Sequence, residues 1–379
     1  MPGAEVKGRD TAANCRIIDV SMSEKGLLPV KQLRFLFVLL SFVFAVFVTH
    51  AFSQASPQRV IIDTDPGTDD AMAILLALNS PELKVEAFTV VPGNVDGRQG
   101  LENALKIVSL AGRCDIPVAA GAQHPLNQKV VTAQYWHGKN GLADVELPAS
   151  QCKPDPRFGP DLIIQLVHRY PHQITLVPVG PLTNIALAIS KDPSIVSLVN
   201  NVVIMGGSIT GGNVDGAAEA NIYGDPEAAQ IVFNAGWMVT MVGSDVGERT
   251  LITRKELAQL RATHGPQNDF ISQIVDFYVT RSEKSGWSGA ALYDPLAVAI
   301  AMDPTLGTLK EMHVDVETRG EFTRGETVAN RTGYNENNVL HGDHYEIDSL
   351  TPLKPNARVC LAADRDRFLQ LLLSRIQGK

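Results

Sequence analysis

Residues 59–78, "RVIIDTDPGTDDAMAILLAL", set an apolar β-branched run against an apolar helical pattern, with Asp63, Asp65, Asp69 and Asp70 crowded at the turn between them. The run Val60–Ile62 suits a strand buried on both faces. Ala71, Ile74, Leu75 and Leu78 recur at i, i+3, i+4 and i+7, the spacing of one helix face. The same unit returns along the chain. "VEAFTVV" stops at "PGN" and leads into "QGLENALKIVSLAG"; "QITLVPV" stops at "GPLTN" and leads into "IALAIS". "NVVIMGG" and "MVTMVGSDVG" repeat the form, and "DRDRFLQLLLSRI" closes the chain as a helix. Strand, loop and helix in alternation predict an α/β fold, Rossmann-like, with a mostly parallel central sheet and helices on both faces.

The aspartates need a chemical reason. Asp63 and Asp65 are two apart on a strand and so share a face. Asp69 and Asp70 open a helix, where the macrodipole favours negative charge. A solvated turn or a helix cap accounts for one carboxylate, not for four, because clustered carboxylates repel unless a cation neutralises them. An all-oxygen set without cysteine or histidine points to Ca²⁺ or Mg²⁺ rather than zinc. Ligands of open α/β sheets bind beyond the carboxyl ends of the strands, which places Asp65, Asn94, Val179 and Met205 along one edge. Other aspartate motifs fit worse: an EF-hand loop does not run from strand to helix, and Pro66-Gly67 stand where the haloacid dehalogenase pattern has Gly-Thr. No glycine-rich phosphate loop follows the first strand.

The 379 residues are 45% apolar and carry a formal charge of −8, which argues against a nucleic-acid partner. Residues 35–48, "FLFVLLSFVFAVFV", follow Lys25, Lys31 and Arg34 and are short for a membrane span of ~20 residues. They suit a signal-peptide core with a cut before Ser56, so 1–55 reads as a leader and 56–379 as a single catalytic domain. The protein is then expected to be exported, to the periplasm, with an uncleaved N-terminal anchor as the alternative and membrane contact only through that segment. Cys114, Cys152 and Cys360 remain in the mature chain; export permits one disulfide among them, and the spacing does not choose it. Residues 124–160 read as a long surface loop of the kind that carries binding elements.

"DTDPGTDDAMAILLAL" resembles the N-terminal fingerprint of the inosine–uridine-type nucleoside hydrolases. "LVPVGPLTNIALA" (176–188), "VIMGGSITGGNV" (203–214), "EANIYGDPEAA" (219–229) and "YDPLAVA" (293–299) resemble that family's later blocks in order. The resemblance implies a Ca²⁺-dependent N-ribohydrolase that cleaves ribonucleosides to ribose and free base, as a homodimer or homotetramer. It implies carboxylates of Asp65, Asp70 and Asp294 and the backbone carbonyl of Val179 around the ion. Asp69, Asn94, Asn213, Glu219 and Asn221 would hold the ribose hydroxyls, with main-chain contact from Met205. The chemistry suits these residue types on its own terms. N-glycoside cleavage passes through an oxocarbenium-like sugar, Asp65 can take the proton of a water that the ion positions and acidifies, and sugar hydroxyls both donate and accept.

Two positions depart from the family pattern. Tyr293 stands where many members have a histidine that can protonate the leaving base, and a phenol with an ordinary pKa near 10 is a weaker acid. Ala220 stands where a bulky aromatic often faces the base. In the long loop, His137 is a candidate to approach the substrate and Trp136 to stack on the base, against ordinary loop packing. Tyr278, His341 and His344 are further candidates. Two rival functions stand beside nucleoside cleavage: an exported nucleoside-binding protein without turnover, and a hydrolase of another ribosyl compound on the same fold.

Overall fold

The computed structural model describes residues 56–330, 334–335 and 351–376. The leader, His341 and His344 lie outside them. Strand β1 (Gln58–Thr64) leads through the aspartate turn into the helix Thr68–Leu78, and β2 (Leu83–Val90) into the helix Gly97–Leu110. After β3 (Val118–Ala120) comes the long loop, then the helix Gly159–Arg169. Next are β4 (Ile174–Pro178) with the helix Thr183–Lys191, β5 (Asn201–Met205) with the helix Pro226–Phe233, and β6 (Val239–Val242). The short strands β7 (Leu251–Ile252) and β8 (Ala290–Ala291) pair with each other, flanking the 19-residue helix Pro266–Lys284. The helix Asp294–Met302 precedes β9 (Gly307–Val316) and β10 (Thr327–Asn330); β11 (Tyr334–Asn335) pairs with β12 (Thr351–Pro352), and β13 (Ala357–Ala363) leads to the helix Arg365–Ile376.

The main sheet runs β10–β9–β13–β6–β5–β4–β1–β2–β3. From β13 to β3 every neighbouring pair is parallel, whereas β9 and β10 add antiparallel at one edge. Val60 and Ile62 pack into one buried cluster with the helices Thr68–Leu78, Pro266–Lys284 and Asp294–Met302. Ile61 packs into the opposite cluster with the helices Gly159–Arg169 and Thr183–Lys191. This is the doubly covered α/β sheet expected from the strand pattern. Its order also settles where a ligand belongs. β1 has β2 on one side and β4 on the other, so the chain changes direction across the sheet between them, and the crevice beyond their carboxyl ends is the switch point.

The long loop contains one short helical turn, Gln134–His137, and its returning limb is held at several points. Ser150 donates through Oγ to the Leu105 carbonyl at 2.8 Å, and the Asp155 amide to the Val118 carbonyl at 2.8 Å. Cys114 and Cys152 form a disulfide across 38 positions of chain, the pairing the spacing left open. Closing a loop of that length removes about 3–4 kcal/mol of chain entropy from the unfolded state in the simplest treatment. Cys360 is free and buried, and burial pushes its thiol up to about 11.

Candidate active site

Two helix N-termini meet above the switch point. Asp69 and Asp70 lie in the first turn of the helix Thr68–Leu78, and Asp294 is the first residue of the helix Asp294–Met302, which packs against it. Each of the three places a carboxylate oxygen within 4.8 Å of the others, and all are buried. The Asp294 amide donates to the Asp69 carboxylate, and Asp70 and Asp294 share a hydrogen bond. Asp70 is the most heavily supported. It accepts from the Thr64 hydroxyl, from the Gly67 amide at 2.9 Å and from Asn94 Nδ2 at 2.9 Å.

Asp65 sits just past the end of β1 beside this trio. Its Oδ2 accepts from the Asn94 amide at 2.7 Å, while its Oδ1 is buried with no hydrogen-bond partner among the described residues. The turns after β2 and β4 close on it so tightly that side chains are excluded. A Cβ on Gly93 would lie 2.0 Å from Asp65 Oδ2, and one on Gly180 would lie 2.6 Å from Oδ1. The "PGN" and "VGP" glycines thus make room for a carboxylate. Asp69 Oδ1 is likewise buried with no hydrogen-bond partner among the described residues.

Burial raises every carboxyl of the group, and repulsion from neighbouring carboxylates adds to it for Asp65, Asp69 and Asp294. Asp65 is pushed well up by burial and then by the charge of Asp70; Asp69 goes to about 8 by burial and the charge of Asp70. Burial comes first for Asp294 too, followed by the charges of Asp69, Asp70 and Asp65. Four such groups are costly as bare anions, and two carry unsatisfied oxygens. That donor set, all oxygen and partly orphaned, fits a hard divalent cation.

The other predicted residues gather on the same edge, with differences. Asn221 donates through Nδ2 to the carbonyl of Val179 at 2.9 Å and to that of Met205 at 3.2 Å, joining the ends of β4 and β5. Glu219 is buried and caps the short turn Ala220–Gly224, taking the amides of Gly207 and Asn221 at 2.9 Å and of Ile222 at 3.1 Å. Its oxygens are therefore engaged by backbone. Asn213 lies on an exposed loop, accepts from the Ala220 amide at 2.9 Å and hydrogen-bonds the Tyr293 hydroxyl. Asn94 belongs to the turn after β2 rather than to its end.

His137 turns out to be buried, folded down from the long loop onto the aspartate helix. Its Nδ1 accepts from the Thr68 amide at 3.1 Å and lies 3.8 Å from Asp69 Oδ1. Trp136 stays half-buried, edge-on to Tyr135. Asp63 does not join the trio, although it lies two residues from Asp65. Tyr278, which has no patterned signal around it, is buried with its ring 6.0 Å from that of His137. Burial and the nearby charge of Asp69 push its phenol well up.

The profile of the family described as "Inosine-uridine preferring nucleoside hydrolase" matches residues 60–370. The chain belongs to that family. It is a nucleoside hydrolase, a hydrolase of N-glycosyl bonds, as the resemblance implied. The pyrimidine-specific ribonucleoside hydrolase RihA of Citrobacter koseri is 40% identical over 319 residues, 84% of this chain and 97% of that relative. Among solved structures, the plant nucleoside hydrolase PpNRh1 is similar with a TM-score of 0.76 and 38% identity, over 85% of this chain and 100% of that one. The purine-preferring ribonucleoside hydrolase of Gardnerella vaginalis is similar at a TM-score of 0.76 and 37% identity, over 85% and 98%. In this nucleoside hydrolase Tyr293 packs its ring over Gly247, where a Cβ would lie 2.3 Å from it.

Proposed function

We propose that the mature protein is an exported, Ca²⁺-dependent ribonucleoside N-ribohydrolase. The observation that carries this is the buried set Asp65, Asp69, Asp70 and Asp294, with unpartnered oxygens on Asp65 and Asp69, at the switch point of the sheet. Asp65, Asp70, Asp294 and the Val179 carbonyl would hold the ion, the last after Asn221 turns away from it. A bound Ca²⁺ would position the attacking water and lower its pKa. Asp65, with its free Oδ1, is the proton acceptor. Asp69, Asn94 and Asn221 offer the mixed donors and acceptors that ribose hydroxyls require, with Asn213, Glu219 and the main chain of Met205 as the further contacts that the resemblance implies. Negative charge beneath the ring favours the positive charge that develops on the sugar.

His137 acts as a neutral donor in this reading. Its Nδ1 is committed to the Thr68 amide, so Nε2 carries the proton. Burial, with Arg281 nearby, pushes its pKa down to about 4, which leaves no imidazolium at neutral pH to protonate a leaving base.

Purified mature protein should release ribose from uridine, cytidine or inosine, and a calcium chelator should abolish the release until Ca²⁺ is returned. No ribose from any nucleoside, with Ca²⁺ present, would instead favour the binding-protein reading, which the hydrolase relatives do not support.

Tyr293 is not the principal acid for the leaving base. Its hydroxyl is bonded to Asn213, and burial followed by the charge of Glu248 raises it further above the ordinary phenol value. Tyr293→Phe keeps the ring and should lower kcat less than about 10-fold, against the ~10²–10⁴ lost with a true general acid. A larger fall that disappears with p-nitrophenyl riboside, whose leaving group needs no proton, would reverse this assignment.

Export rests on the basic flank, the short apolar run and the small residues before Ser56, and a disulfide in the mature chain suits an oxidising compartment. N-terminal sequencing of the native protein should begin near Ser56; retention of residues 35–48 would mean an anchor. A dimer or tetramer is carried over from the resemblance.

A further inference from the structure

One aspartate of the signature has no part in the chemistry above. Asp63 is fully enclosed, and its carboxylate accepts from the Thr89 hydroxyl on β2 and from Asn184 Nδ2 at 2.7 Å. Its own carbonyl accepts from the Val179 amide at 2.7 Å. Asn184, also buried, reaches two further segments. Its Nδ2 lies 3.2 Å from the Val90 carbonyl, and its Oδ1 accepts from the Ala122 amide at 2.8 Å, just beyond β3. The backbone at Gly121 runs so close that a Cβ there would lie 2.2 Å from the Asn184 amide group.

Two side chains thus join the carboxyl ends of β1, β2, β3 and the turn after β4. From these four ends leave, in order, the Asp65–Asp70 turn, Asn94, the loop that carries His137, and Val179. We propose that Asp63 and Asn184 are a positioning pair that sets the spacing of these strand ends, and so the registry of the carboxylates with the Val179 carbonyl. The pair touches neither substrate nor ion. It acts through the backbone it braces, and a carboxylate–amide bond shielded from water is suited to that because nothing competes for it. This rests on the metal reading given above.

Ca²⁺ alone, titrated calorimetrically into chelator-stripped mature protein, tests it. Asn184→Asp keeps the size and the acceptor for Ala122 but removes the donor to Asp63; it should weaken Ca²⁺ binding at least 10-fold. Asp63→Ala, which removes the oxygen that accepts from both Thr89 and Asn184, should weaken it in the same direction. The double exchange, Asp63→Asn with Asn184→Asp, restores a donor facing an acceptor and should return affinity to within about 3-fold of wild type. Should either single variant fail to fold, Thr89→Val removes one contact only and should show a loss of about 3-fold. Val232→Ala, in the fully buried face of the helix Pro226–Phe233, is the control: it should lower Tm without changing Ca²⁺ affinity. Single variants that bind Ca²⁺ like wild type, or that weaken only as Val232→Ala does with no recovery in the double exchange, would overturn the pairing. Wild-type protein that binds no Ca²⁺ would overturn the metal reading instead, and kcat/KM for the nucleoside would then be judged across the same variants.

Discussion

Asp65→Asn is expected to keep the fold and lose kcat on the order of 10³-fold or more. The carboxylate Oδ1 that the substitution alters is buried and has no partner among the described residues, so removing its charge breaks no hydrogen bond there. The Asn94 amide can still be accepted by the remaining carbonyl oxygen. Folding should therefore survive, and relief of repulsion with Asp70 and Asp69 should even raise Tm slightly. Turnover is another matter, because the same atom is asked both to face the ion and to take the proton of water. Stopped-time ribose release at saturating nucleoside, beside a thermal melt, separates the two. Near-normal turnover would show that another carboxylate, such as Asp294, takes the proton.

The second large effect concerns the sugar. A site built to hydrogen-bond a hydroxyl rejects the analogue that lacks it by factors up to ~10⁴ or more, since its buried polar groups are left unpaired. Asp69 has that character. It is buried, one oxygen is unpartnered, and the other contacts fix it through backbone amides of its own turn and of Asp294. 2′-Deoxyuridine should accordingly be a very poor substrate beside uridine, and Asp69→Ala should lose much of the discrimination along with most of the activity. Equal kcat/KM for the two nucleosides in the wild type would sink the assignment of Asp69, Asn94 and Asn221 to the ribose. Loss of discrimination in Asn221→Ala but not in Asp69→Ala would move the grip to the end of β5.

The features legible along the chain follow from local rules. Period and punctuation are written into consecutive residues, so the alternation of β-branched runs with i, i+3, i+4 patterns was enough for the parallel sheet and its covering helices. Like-charge crowding within eight residues, Asp63 to Asp70, raised the expectation of a cation, and the resemblance added Asp294 and Val179 to its expected ligands. Relations between distant segments come instead from the folded arrangement. Asp63 and Asp65 have the same residue type and adjacent places in one motif. Asp63 takes the Thr89 hydroxyl and the Asn184 side chain, and Asp65 takes the Asn94 amide, each on a single oxygen, because β2 and the turn after β4 close differently around each. His137 could be a surface residue or a site residue on its sequence alone; the fold lays its loop over Thr68 and buries it. Tyr278 lies mid-helix with no flanking motif, and only the packing of Pro266–Lys284 against the aspartate helix brings it near. Cys114 pairs with Cys152 rather than Cys360 because the loop's returning limb runs along the helix Gly97–Leu110, while Cys360 is sealed within β13. Burial and hydrogen-bond partners depend on which chain segments meet, and no window of neighbouring residues contains that information.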